Sequence, residues 1–133
     1  MPDNQLAAGI VALRPFVPAK DFQTSKQFYI DLGFEVIPLG DTIAHVGIGN
    51  FAFLLHDYFV QDWADNFVMH MMVTNLDQWW AAISRLDLES RYEVRAPRSP
   101  KVEPWGLRVA YLFDPAGVLW HFAEEAPPQS AGA

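Results

Sequence analysis

"DPAGVLWHFAE", residues 114–124, sets how the rest of the chain is read. Asp114-Pro115-Ala116-Gly117 has the composition of a tight turn, and the apolar run after it reads as a strand. Side chains alternate along a strand, so Val118, Trp120 and Phe122 share one face while Leu119, His121 and Ala123 share the other. Trp120 therefore belongs to a core and His121 to the opposite wall. His121 then holds a metal, touches a ligand, or only lines that wall, and the choice separates an enzyme from a binding protein.

Working outward, LRVAYLF (107–113) is the strand before the turn. Upstream of it, APRSPKVEPWG holds three prolines and reads as an irregular loop, preceded by a weak strand at 91–95. LDQWWAAISRL is a helix capped by Thr74 or Asn75, with Leu76, Trp79, Trp80 and Ile83 at helical spacing. FVMHMMV (67–73) is the strand that feeds it. The first half has the same order. GIVALRPFV (9–17) reads as a strand, and Asp21 caps the helix FQTSKQFYIDLG, which Gly33 ends. FEVIPL (34–39), TIAHVGI (42–48) and NFAFLLH (50–56) follow as strands separated by Gly40-Asp41 and Gly49-Asn50 turns. Residues 57–66 are a connector.

The string is βαβββ twice, a structural repeat of about 60 residues per unit. One helix and four strands cannot bury both faces of a sheet. The expectation is an α+β fold in which two βαβββ modules, 9–56 and 67–124, form a curved mixed sheet cup with helices outside. Residues 1–133 are then one domain, with 125–133 a flexible, proline-containing tail. A ligand would sit on the concave face.

Composition excludes several functions. A net charge of -7 repels phosphates, so neither nucleic acid nor an anionic membrane is an expected partner. No cysteine is present, which rules out disulfides, zinc–thiolate sites and thiol nucleophiles. No Gly-x-Ser-x-Gly elbow or glycine-rich phosphate loop occurs. The N-terminal residues lack the basic and long apolar regions of a secretory signal, and no run reaches the roughly 20 apolar residues of a membrane span. A cytoplasmic location is expected.

PFVPAKDFQTSKQFYIDLGFEV (15–36) resembles the N-terminal motif of the vicinal oxygen chelate superfamily, which comprises glyoxalases, bleomycin resistance proteins and dioxygenases. PWGLRVAYLFDPAGVLWHFAE (104–124) resembles its closing hairpin, and the resemblance covers roughly residues 9–125. It implies the double βαβββ fold. In the superfamily's enzymes it also implies a metal held by His, Gln or Glu at four strand positions. Here the first position, seven residues before the capping Asp, is Arg14; the second falls at about Leu54; the third is near Val68; the fourth is His121. Arginine has no lone pair to donate, and leucine and valine have none either. His70 shares a face with Val68, so an atypical His70/His121 metal site of glyoxalase or dioxygenase type is the alternative reading.

The departures look more like the bleomycin-resistance branch, which resemblance implies to be metal-free, cofactor-free and homodimeric. Its members trap an aromatic or cationic organic ligand in a groove. The expected ligand contacts are stacking by Phe16, Trp63 and Trp105, and polar fixation by Arg14, His70, Arg108 and His121. Leu54 and Met72 complete the lining. Arg14 and Arg108 have a second reading, as internal ion pairs, and the Met69–Met72 cluster has one as core packing. His45 and His56 lie near strand ends, where a solvated imidazole is expected. A non-catalytic sensor or accessory subunit with a vestigial groove is a third reading of the whole.

Overall fold

The computed structural model describes residues 4–126. A short helix α1 (Asn4–Ala8) precedes the first module. That module consists of β1 (Phe16–Pro18), α2 (Phe22–Leu32), β2 (Glu35–Pro38), β3 (Ile43–Ile48) and β4 (Phe51–His56). After α3 (Gln61–Asp65) comes the second: β5 (Val68–Met72), α4 (Leu76–Arg85), α5 (Leu88–Tyr92), β6 (Arg98–Val102), β7 (Leu107–Phe113) and β8 (Leu119–Glu125). Each module forms a four-stranded mixed sheet, ordered β1-β4-β3-β2 and β5-β8-β7-β6. In each, the first strand runs parallel to the last and the other pairs are antiparallel. This is the expected α+β fold of two βαβββ modules.

Local chemistry explains the two long helices. The Asp21 carboxylate accepts from the Thr24 N–H at 3.1 Å, and Asn75 does the same for Gln78. In α2, Phe22, Ser25, Phe28, Tyr29 and Leu32 are buried, a stripe at helical spacing that packs on the first sheet. The other face carries His45 and Leu54 in the first sheet and His70 and His121 in the second, all only partly buried or exposed. The modules meet through rings: Trp120 of β8 lies 5.8 Å from Tyr29, 5.7 Å from Phe34 and 5.5 Å from Phe53, centroid to centroid.

Four sequence expectations change. The strand expected over 9–17 is only Phe16–Pro18. Phe16 pairs with Leu54 in the parallel register, so residues before Leu13 run past the start of β4 and have no strand beside them. Ile10, Val11 and Leu13 are consequently exposed. The 91–95 strand is absent; α5 occupies that region, anchored by buried Leu88 and by Arg91 and Tyr92, both bonded to Asp31 of α2. The proline-rich 96–106 loop contains β6, an edge strand whose register shifts between Arg98 and Lys101. An edge strand tolerates Pro100 because one side of it needs no ladder bonds. Finally, Glu125 of the expected tail belongs to β8, and the Ala126 N–H donates to the Gly106 carbonyl. The remainder of that tail, 127–133, lies outside the described residues.

Candidate functional site

The open face of the second sheet carries one cross-strand row with chemistry in it. His70 of β5 pairs with His121 of β8, and His121 with Tyr111 of β7. The His70 and His121 Nδ1 atoms are 3.1 Å apart, so one imidazole donates its proton to the other. Tyr111 meets His121 edge to face at 5.1 Å. Trp105 closes over the pair, 6.2 Å from the His70 ring and 6.0 Å from the His121 ring. Its position is fixed by a tight β6–β7 connection, in which the Glu103 N–H donates to the Leu107 carbonyl and the Gly106 N–H to Glu103. That turn needs φ +95° at Gly106, a value a side chain resists. Trp105 is 53% exposed, so its ring is available to a ligand.

Electrostatics favours the uncharged forms of His121 and Tyr111. Burial lowers the His121 pKa below its usual 6.5, and the neighbouring His70 lowers it further, against the opposing charge of Glu103. Burial raises the Tyr111 pKa, as do its hydrogen bond to Glu103 and that carboxylate's charge. Glu103 thus sets one carboxylate beside Tyr111 and His121. Beside the row, an apolar groove of about 570 Å³ runs between the modules, lined by His70, Met72, Ile48, Phe51 and Trp79 among others.

In the first sheet the matching row is Phe16, Leu54 and His45. The match is fixed by the helix caps, since Phe16 stands five residues before Asp21 and His70 five before Asn75. The register sets Phe16 beside Leu54 and His70 beside His121, while Val68 pairs with Leu119. Of the four side chains in these two pairs, two are imidazoles and two have no lone pair to offer. The two imidazole nitrogens already face each other. Among the described residues no group of three His, Asp or Glu side chains is arranged to hold a metal ion. The four-position metal site of the superfamily's enzymes does not fit these residues.

The other expected site residues separate. Arg14 lies outside any strand, on a pocket of about 290 Å³ with Glu35, Ile37 and His45. His45 is no solvated strand end, because its Nδ1 is buried without a hydrogen-bond partner. Phe16 packs against His56 at 5.6 Å, and Trp63 sits between Tyr58 and Phe67; neither joins the His70 row. Met72 lines the apolar groove and is half exposed. Arg108 is taken up in ion pairs with Asp77 at 2.7 Å and Glu124 at 3.2 Å, while Glu124 also accepts the Leu76 N–H. It ties the start of α4 to the sheet, as in the internal ion-pair reading of Arg108. Sequence reading missed Tyr111 and Glu103. Tyr111 shares its face with His121 only through the antiparallel register, which the intervening turn length alone specifies.

The fold has known counterparts. A bleomycin-binding protein complexed with bleomycin superposes with a TM-score of 0.74 at 19% identity, covering 88% of this chain and 100% of that one. The bleomycin-binding protein of bleomycin-producing Streptomyces verticillus, complexed with copper(II)-bleomycin, gives 0.72 at 27% identity over 88% and 98%. A lactoylglutathione lyase from Agrobacterium tumefaciens gives 0.63 at 18% identity over 86% and 94%. No curated protein matches the sequence significantly. The sequence profile of the Glyoxalase/Bleomycin resistance protein/Dioxygenase superfamily matches residues 10–122. With that match spanning both βαβββ modules, the chain belongs to this superfamily.

Proposed function

We propose that the protein is a cytoplasmic binding protein that sequesters a small aromatic or cationic organic molecule, without metal, on the open face of its second sheet. The observation that carries this reading is the row of His70, His121 and Tyr111 under a half-exposed Trp105, continuous with an apolar groove. A planar ligand would stack on Trp105, and a ligand cation would meet both that ring and the Glu103 carboxylate at the rim. The His70–His121 pair keeps one ring edge free on each residue for polar fixation. Bleomycin-binding proteins of the same fold support a binding role.

We further propose a homodimer. Among the described residues, Ile10, Val11 and Leu13 form an exposed apolar segment, and β1 and β5 are the outer strands of their sheets with no further strand beside them. A second copy that covers them would enclose the groove. Metal analysis of protein purified without a tag tests the metal-free reading. The expected result is a substoichiometric metal content that His121→Ala leaves unchanged. Stoichiometric zinc, nickel, manganese or iron that is lost on that substitution would overturn it in favour of the enzyme reading.

A further inference from the structure

A second cleft, of about 630 Å³, opens between the modules beside the Asp114–Gly117 turn. Its apolar surface comes from half-buried Phe59, Phe113 and Leu119, and its cations are Lys20, Arg95 and Arg98. These cations are unusual for a chain of net charge -7. Among the described residues only Arg91 and Arg108 form ion pairs. Arg95 instead rests its guanidinium 5.1 Å from the Phe113 ring centroid, and the Lys20 ammonium lies 5.6 Å from Phe59.

The carboxylates of the cleft are mostly committed elsewhere. Asp114 turns into the protein, where one oxygen accepts from the Tyr29 hydroxyl at 2.6 Å and the other from the Ala116 and Val118 N–H groups. Asp65 accepts from the Gln61 side chain at 2.8 Å. Glu93 remains, and its backbone at φ +55° turns the chain out of α5 so that Val94 and Arg95 reach the cleft. Guanidinium groups present forked donors that match a carboxylate, and a ring already stacked under one of them offers a floor for a flat body.

We propose that this cleft is a site for a small organic carboxylate with a flat apolar body, its carboxylate held by Arg95 and Arg98 and its body lying over Phe113 and Leu119. Lys20 adds a third positive charge from the first module. The cleft adjoins the His70 row, since Arg98 pairs with Tyr111 across β6 and β7, but it takes a ligand of opposite charge, so the charge of the probe distinguishes the two assignments.

The test uses three probes of one shape and different charge: indole-3-acetate, indole-3-acetamide and tryptamine. Backbone-amide chemical shifts of the full chain are followed through each titration. Indole-3-acetate is expected to give saturable shifts at Arg95, Arg98 and the Ala116–Gly117 turn. The affinity should drop about tenfold in Arg95→Gln/Arg98→Gln, whose exposed side chains are not part of the core. The neutral and cationic probes should leave those amides in place. Equal shifts from indole-3-acetamide, unchanged affinity in the double variant, shifts confined to other residues, or no saturation at millimolar probe would each overturn the proposal.

Discussion

His121 shows how a side chain's neighbours set its charge. Its folded-state pKa lies below the ordinary 6.5 because burial and His70 both disfavour the imidazolium. The neutral form is therefore the one the fold prefers. The stability this residue contributes is present above about pH 6.5 and is lost as pH falls through the lower folded value. Urea unfolding at a series of pH values should show wild type losing stability relative to His121→Gln on acidification, and an unchanged difference would contradict the assignment. Arg108 makes the opposite point. Its charge faces Asp77 and Glu124, so Arg108→Gln should cost stability by about 1 kcal/mol and leave ligand affinity at the wild-type value. Loss of affinity in a folded Arg108→Gln protein would restore it to the site. Alternation in VLWHFAE suffices to place His121 and Trp120 on opposite faces. The same rule is silent about what Arg108 touches, because its partners come from α4 and β8 and no local pattern encodes that meeting.

At the scale of elements, the Asp114 turn is the joint between the modules. Its carboxylate accepts the Tyr29 hydroxyl of α2, and the Tyr29 oxygen in turn accepts the Trp120 indole N–H at 2.9 Å. Gly117 at φ +94° lets the turn close tightly enough for one Asp114 oxygen to take two backbone N–H groups. Asp114→Ala would leave those donors and the hydroxyl unpaired in the core, with an expected cost of about 3 kcal/mol or more in chemical unfolding. Titration adds a second signature. Burial raises the Asp114 pKa from 3.8 to about 6, against the hydrogen bonds that favour its ionised form. The stability that follows from this shift is present below 3.8 and lost as pH rises through about 6. The stability of wild type relative to Asp114→Asn should therefore fall by up to about 3 kcal/mol between about pH 4 and pH 7. A flat difference would show that the hydrogen bonds compensate the burial.

The helices α2 and α4 and seven of the eight strands are readable from caps, turns and alternation. β6 is not, because prolines usually signal loops and its edge position is a property of the whole sheet. β1 is shorter than its apolar composition suggests for a related reason. Strand length is set by the partner, and β4 starts only at Phe51, three residues before the Leu54 that pairs with Phe16.

At the scale of the molecule, the proposed dimer rests on the exposed apolar segment before β1. Val11 and Leu13 are 99% and 93% exposed, so Val11→Asp/Leu13→Asp should leave the fold intact. It should move the protein from the dimer to the monomer position in gel filtration with light scattering. A wild-type monomer, or a dimer indifferent to those charges, would remove that segment from the interface. The two modules themselves were legible as a repeat of element order. The identity of the site was legible only in part, because it arises where β5, β7, β8 and the 103–106 turn converge.

The central claim is that Trp105 and the His70–His121 row bind an organic molecule without metal. Its most direct test is a fluorescence titration of metal-stripped protein with a panel of aromatic cations that includes metal-free bleomycin, in wild type and Trp105→Ala. The account predicts saturable quenching by at least one member, unaffected by chelator and weakened about tenfold or more in the variant. Silence across the panel, binding that appears only on adding metal, or equal affinity in Trp105→Ala would contradict it.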